Sequence, residues 1–337
     1  MKFRRRKVIS LALQGGGALG ALTWGVLDRL LEEPRLKIEA ISGSSAGAIN
    51  AAALASGYSK GGREGARKSL DHFWHSLGTA SYSIGSSTGV HRALLPNPQR
   101  FLLGLTRFFS PYQLNPFDIN PLRDLVAKVV DFGAVQSRRA IRLFVGATRV
   151  RTGTLRLFEN RELTPDALLA SACLPTVHHS IDIDGEPYWD GGYTGNPAVY
   201  PLIHRCKTPN VLVVMLQPLI REEPATSAQA IRSRLTEFQF NSSFLREMRG
   251  IALAKEVSDT QWLPIGKLER RYRKLNFHLI ETDDLLARMN VEKALNADLA
   301  FLLKLKEEGR SRAGAWLEKH FDLVGTSSSI DMARLFA

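Results

Sequence analysis

The run Val8-Ile9-Ser10-Leu11-Ala12-Leu13 leads through Gln14 into three consecutive glycines, Gly15, Gly16 and Gly17. A short apolar run bounded by glycine reads as a buried strand. Leu19, Leu22, Val26, Leu27 and Leu30 follow at helical spacing, so the glycines form the loop between that strand and the N-terminus of an amphipathic helix. Strand, glycine loop and helix in this order belong to an α/β sheet. With no side chains in the way, the loop's N–H groups and the first amides of the helix form a site suited to negative charge.

A second unit of the same kind follows. Lys37-Ile38-Glu39-Ala40-Ile41 alternates polar and apolar residues like a strand, and the alanine-rich stretch from Ala46 to Ser56 reads as a helix. Between them lies Gly43-Ser44-Ser45-Ala46-Gly47. So sharp a strand-to-helix turn needs glycine on both sides, because a Cβ at either flank would crowd the neighbouring backbone. It lifts the Ser45 hydroxyl clear of the sheet, with helical amides behind it. Ser45 is therefore the candidate nucleophile, and Gly15, Gly16 and Gly17 are the candidate donors to the oxyanion that acyl transfer creates. The same loop, as Gly15-x-Gly17-x-x-Gly20, also fits the dinucleotide fingerprint. That alternative requires an acidic residue at the end of the second strand, where this chain carries Ile41-Ser42-Gly43.

The third element is Trp189-Asp190-Gly191-Gly192, preceded by a hairpin expected to turn at Asp184-Gly185. An aspartate at a strand end, followed by glycines that let other backbone approach, is suited to accept the serine proton as a general base. His178, His179, His204 and His278 are available for a Ser-Asp-His triad. A hydrolase of that type sets several strands ahead of its elbow, whereas one strand and one helix precede Ser45. His178 and His179 are expected to line or support the pocket mouth. No carboxylate or cysteine cluster completes a metal site around the histidines, so neither metal nor cofactor is expected.

In their order, the glycine loop, the serine elbow and Asp190-Gly191-Gly192 resemble the patatin-like phospholipase family over residues 7–220. Asn50, the run Ala170-Ser171-Ala172-Cys173-Leu174-Pro175 and Asn196-Pro197 add to the likeness. The resemblance implies an α/β fold, a three-layer α/β/α sandwich around a mixed, mainly parallel sheet. It also implies a Ser45–Asp190 dyad without histidine, an oxyanion hole at Gly15, Gly16 and Gly17, and hydrolysis of lipid acyl esters. Gln14 stands where the family often has aspartate, and Leu19 where many members carry lysine or arginine. Main-chain oxyanion donors survive both changes. The missing basic residue favours a general acyl-ester hydrolase over a dedicated phospholipase.

A chain of 337 residues, 44% hydrophobic, belongs to the soluble globular class and is expected to form one domain over 1–337. Cys173 and Cys206 are too few for a disulfide framework and are expected to be reduced. Met1 to Leu13 imitates a secretory signal, but its apolar part is too short and cleavage there would destroy the glycine loop. With no apolar run long enough to span a bilayer, the expected location is the cytoplasm. The 45 basic and 33 acidic residues give +12, with clusters at Arg4-Arg5-Arg6, Arg138-Arg139 and Arg270-Arg271-Tyr272-Arg273-Lys274. Such clusters draw a protein to an anionic membrane surface, in addition to its lipid or acyl-ester substrate. No reading module for nucleic acid accompanies the charge, and none is expected as a partner. A catalytically idle lipid-binding scaffold is the alternative from another class.

Residues 78–121 form an irregular insertion on this reading, rich in serine, glycine and proline, and suited to act as a lid. Residues 141–147 and 154–158 read as a hairpin, and 211–216 as a buried strand. From residue 226 the chain turns helical, with Ile231, Leu235 and Phe238 on one face and Leu245, Met248 and Ala252 continuing it to cover the sheet or the pocket.

Overall fold

Along the first strand, β1 (Lys7–Leu13), Ile9, Leu11 and Leu13 enter one hydrophobic core while Ala12 enters another. A strand buried on both faces belongs in the middle of three layers. That is its position in the computed structural model, which describes residues 6–87, 110–137, 140–221, 224–260, 266–281 and 297–336, the side chains of 80–87 excepted.

In chain order, β1 is followed by α1 (Gly20–Glu32), β2 (Leu36–Ser44) and α2 (Ala46–Ser87). Then come α3 (Pro111–Leu114), α4 (Pro121–Val129), α5 (Phe132–Gln136), β3 (Arg142–Arg149), β4 (Leu155–Glu159) and α6 (Pro165–Ser171). The hairpin β5 (Ile181–Ile183) and β6 (Glu186–Asp190) leads to α7 (Tyr200–Arg205) and β7 (Asn210–Val214). Last are α8 (Ala228–Thr260), α9 (Lys267–Arg273), β8 (Asn276–Ile280), α10 (Leu299–His320) and α11 (Met332–Phe336).

The sheet runs β5-β6-β3-β2-β1-β7-β8, with β4 also paired to β3. Pairings among β3, β2, β1, β7 and β8 are parallel, and those of β3 with β4 and β6, and of β5 with β6, are antiparallel. α1, α2 and α10 cover one face, where Trp24, Trp74 and Leu305 meet Leu11 and Leu212. α7, α8 and α11 cover the other, where Phe244, Met248 and Phe336 meet Val213 and Phe277. The chain is thus a three-layer α/β/α sandwich with a mixed, mainly parallel sheet, as expected from the resemblance.

Two expectations are corrected. Residues 78–87 continue α2 as helix, after a break at Gly61 and Gly62, and are not irregular. Gly78 serves a helix contact there, since a Cβ on it would lie 3.0 Å from the Leu299 backbone. A sequence pattern cannot distinguish that use of glycine from a turn. Residues 88–109, half of the expected lid, lie outside the described residues. On α8, Ile231, Leu235 and Phe238 are 44%, 55% and 51% exposed and do not belong to the helix's buried face. The buried face begins at Asn241 and continues through Phe244, Met248, Ile251 and Ala252.

Candidate active site

Ser45 is the single residue between β2 and α2, and its φ of 54° lies in the left-handed region that non-glycine residues seldom adopt. Such a backbone presents the side chain outward from the elbow. The flanking glycines are required sterically. A Cβ on Gly43 would come within 2.7 Å of the Gly47 carbonyl carbon, and one on Gly47 within 2.3 Å of the Leu13 oxygen. The Ser45 N–H donates to the Ser171 oxygen (3.1 Å) and to its Oγ (2.9 Å), which fixes the elbow from the side of α6. Ser42 and Ser44, both buried, donate to the carbonyls of Ala198 and Gly195 and tie β2 to the segment behind Asp190.

Asp190 ends β6, paired in register with Ala147 of β3, and is 1% exposed. Its Oδ1 accepts the Gly192 N–H at 2.7 Å, and its Oδ2 has no settled hydrogen-bond partner. Burial pushes its pKa up to about 7; the Gly192 amide and then the Ser45 hydroxyl pull it back down.

The glycine loop closes the third side. A Cβ on Gly15 would stand 2.8 Å from the Ser45 Cβ, so loop backbone touches the elbow directly. Gly15 is itself gripped by Asn196, whose Oδ1 accepts the Gly15 N–H at 2.7 Å and whose Nδ2 donates to the Gly15 oxygen at 3.4 Å. The Gly15 amide is thus already engaged within the protein. The Gly16 and Gly17 amides have no protein acceptor among the described residues, and Gly17 opens the short helical turn that leads into α1. Two free amides at a helix entry are an anion site.

The histidines stand apart from this corner. His179 stacks on Tyr112 with ring centroids 4.0 Å apart, and its Nδ1 lies 3.8 Å from Asp118. His178 beside it is half-buried, and burial lowers its pKa. The backbone of His179 connects to that of the acid through Cys173, whose thiol donates to the His179 oxygen and whose oxygen accepts the Asp190 N–H at 2.8 Å. His204 lies on α7 beside Tyr272. His278 is buried in β8 against Trp316, where burial pushes it down to about 4. Among the described residues no histidine hydrogen-bonds to Ser45 or Asp190. Burial likewise pushes the Cys173 thiol up to about 12 and that of Cys206 up to about 11, so both stay protonated.

Asn196 and Ser171 were visible in the sequence only as companions of the motifs, without a role. Their buried contacts to Gly15 and Ser45 supply one.

A family model described as patatin-like phospholipase matches residues 11–203. Among solved structures, VipD from Legionella pneumophila is 15% identical with a TM-score of 0.36, over 91% of this chain and 67% of that one. The heterodimeric complex ExoU-SpcU from the type III secretion system of Pseudomonas aeruginosa gives 18% identity and a TM-score of 0.40, over 94% of this chain. The present chain spans only 52% of that structure's matched chain. No curated protein sequence matches.

Proposed function

The chain belongs to the patatin-like phospholipase family, and from that premise we propose that it hydrolyses lipid carboxylic esters with Ser45 as nucleophile and Asp190 as proton carrier. The observation that carries the proposal is the shared corner. It is supported by the positive φ of Ser45 at the elbow, by the buried Asp190 carboxyl with one oxygen lacking a hydrogen-bond partner, and by the Gly15 backbone lying against the Ser45 Cβ.

Asp190 takes the Ser45 proton as Oγ attacks the ester carbonyl, and the Gly16 and Gly17 amides hold the oxygen that becomes negative. Collapse of the tetrahedral intermediate expels the alcohol, which receives the proton from Asp190. Water, losing its proton to Asp190, then attacks the acyl-enzyme. The fatty acid leaves and the proton returns to Ser45. A carboxyl with its pKa near 7 is matched to both halves of this cycle at neutral pH. Gly15, held by Asn196, anchors the donors beside it.

The test is release of product from a chromogenic acyl ester, followed by a panel of labelled lipids, with wild type, Ser45→Ala and Asp190→Asn. Loss of turnover in both variants is expected; equal turnover in all three removes the proposal.

We further propose that the substrate is met at a lipid surface. No helix among the described residues is long and apolar enough to cross a membrane. Phe117 and Ile119 are 86% and 66% exposed in the segment after Tyr112, which stacks on His179, and the net charge of +12 favours anionic lipid. Co-sedimentation with anionic vesicles that survives Phe117→Asp unchanged would refute the role given to this segment.

A further inference from the structure

Gln14 is wholly buried at the exit of β1, one residue before the glycine loop, and both ends of its carboxamide are used. The oxygen accepts the N–H groups of Leu216 (2.6 Å) and Gln217 (2.9 Å), where the chain leaves β7. The nitrogen donates at 2.7 Å to Oδ1 of Asn241, which is 5% exposed on α8. An ionised carboxylate at residue 14 has no hydrogen to offer that oxygen, and an apolar side chain serves neither direction.

The neighbours of Asn241 on α8 touch the other parts of the site. The Phe240 ring lies over Gly192, where a Cβ would come within 2.5 Å of its Cδ1, and it packs on Tyr193 with centroids 4.8 Å apart. Glu247 Oε1 accepts the Val199 N–H at 2.9 Å and the Tyr200 N–H at the start of α7, just beyond the Asn196 that grips Gly15. α8 begins at Ala228, whereas the family match ends at residue 203, so the match gives this helix no role.

We infer that Gln14 and Asn241 are a positioning pair: α8 holds the Gln14 carboxamide and through it sets where Gly16 and Gly17 present their amides to the substrate. The inference rests on the hydrolase reading above. Neither side chain touches the reacting atoms. They act through loop geometry, and an oxyanion donor works only over a narrow range of distance.

The experiment uses the full chain and compares wild type, Asn241→Leu and Asn241→Asp in chromogenic ester hydrolysis. Each rate is divided by the fraction of active serine titrated with a fluorophosphonate. Leucine removes the acceptor at similar size, whereas aspartate retains an oxygen that can accept. Asn241→Leu is expected to lower kcat about 10- to 100-fold per titrated serine, with KM held within about threefold. Asn241→Asp is expected to stay within about threefold of wild type. If the leucine variant yields no titratable serine, Asn241→Ala, which leaves room for water, takes its place under the same criteria. Wild-type kcat in the variant lacking the acceptor, or equal losses in that variant and Asn241→Asp, overturns the pair while leaving the hydrolase standing. A wild type that neither turns over ester nor reacts with fluorophosphonate overturns the hydrolase reading, and the pair's catalytic meaning with it.

Discussion

Asp190 is held by one amide and surrounded by protein, and it titrates near pH 7 because ionising it there is costly. In the proposed mechanism only the ionised form accepts the serine proton, so kcat/KM is expected to rise about tenfold per pH unit below an apparent pKa near 7 and then level off. A pH profile flat from 5 to 8 would argue against this acid as the base. Asp190→Asn should lose on the order of 10²- to 10⁴-fold in turnover. The same substitution should stabilise the fold at high pH. A carboxyl whose pKa is raised on folding contributes its full stability while protonated in both states, and that contribution drains away as pH climbs from the ordinary aspartate range through about 7. The carboxamide that replaces it cannot ionise. Thermal melts should therefore show the variant above wild type at pH 8, by up to about 4 kcal/mol, with no gain near pH 4.

At the scale of elements, α8 reaches into three neighbours, and Glu247 is its link to α7. Its carboxylate accepts two backbone N–H groups, and burial pushes its pKa up to about 7. Glu247→Ala strips both amides of their acceptor and should cost about 1–3 kcal/mol in urea unfolding, whereas Glu247→Gln keeps an acceptor oxygen and should cost less. The position of α8 was not legible in the sequence. Its apolar spacing announced a helix, but periodicity does not say which turns find a layer beneath them. What the sequence did disclose is local. The period of β1, the elbow at Ser45 and the turn at Asp184-Gly185, where both residues have positive φ, are each signalled within a few residues. Gln14 with Asn241 and Gly15 with Asn196 are partners across 227 and 181 residues of chain. No local pattern marks such a pair, so the sequence offered the candidate residues and not the partners that hold them.

Over the whole molecule, the two faces of the sheet are closed by elements far apart in sequence. α1 and α10 touch backbone to backbone, since a Cβ on Gly25 would stand 1.9 Å from the Lys306 oxygen and one on Gly309 2.0 Å from the Leu22 oxygen. Gly309→Ala should therefore cost at least about 2–3 kcal/mol, measured by urea unfolding; a neutral result would mean that these helices sit farther apart. Asp190 and Glu247 both take up protons on folding, while His278, pushed down to about 4, gives one up. Among these three, two protons gained outweigh one released between the acidic and neutral ranges, so their joint contribution to stability falls as pH rises toward 7 and most steeply once an unfolded histidine is also neutral. The Asp190→Asn/Glu247→Gln double variant should flatten that slope in melts from pH 5.5 to 8.

β1 carries the glycine loop, yet one of its two neighbours is β7, joined in register from Ser10 with Val211 to Leu13 with Val214. That neighbour enters the chain only after residue 203, where the match to the family model ends. A gene trimmed to the recognisable stretch would leave the apolar margin of β1 bare and ready to stick to another copy of itself. The stretch that matches the family model and the stretch that the sheet needs are thus of different lengths.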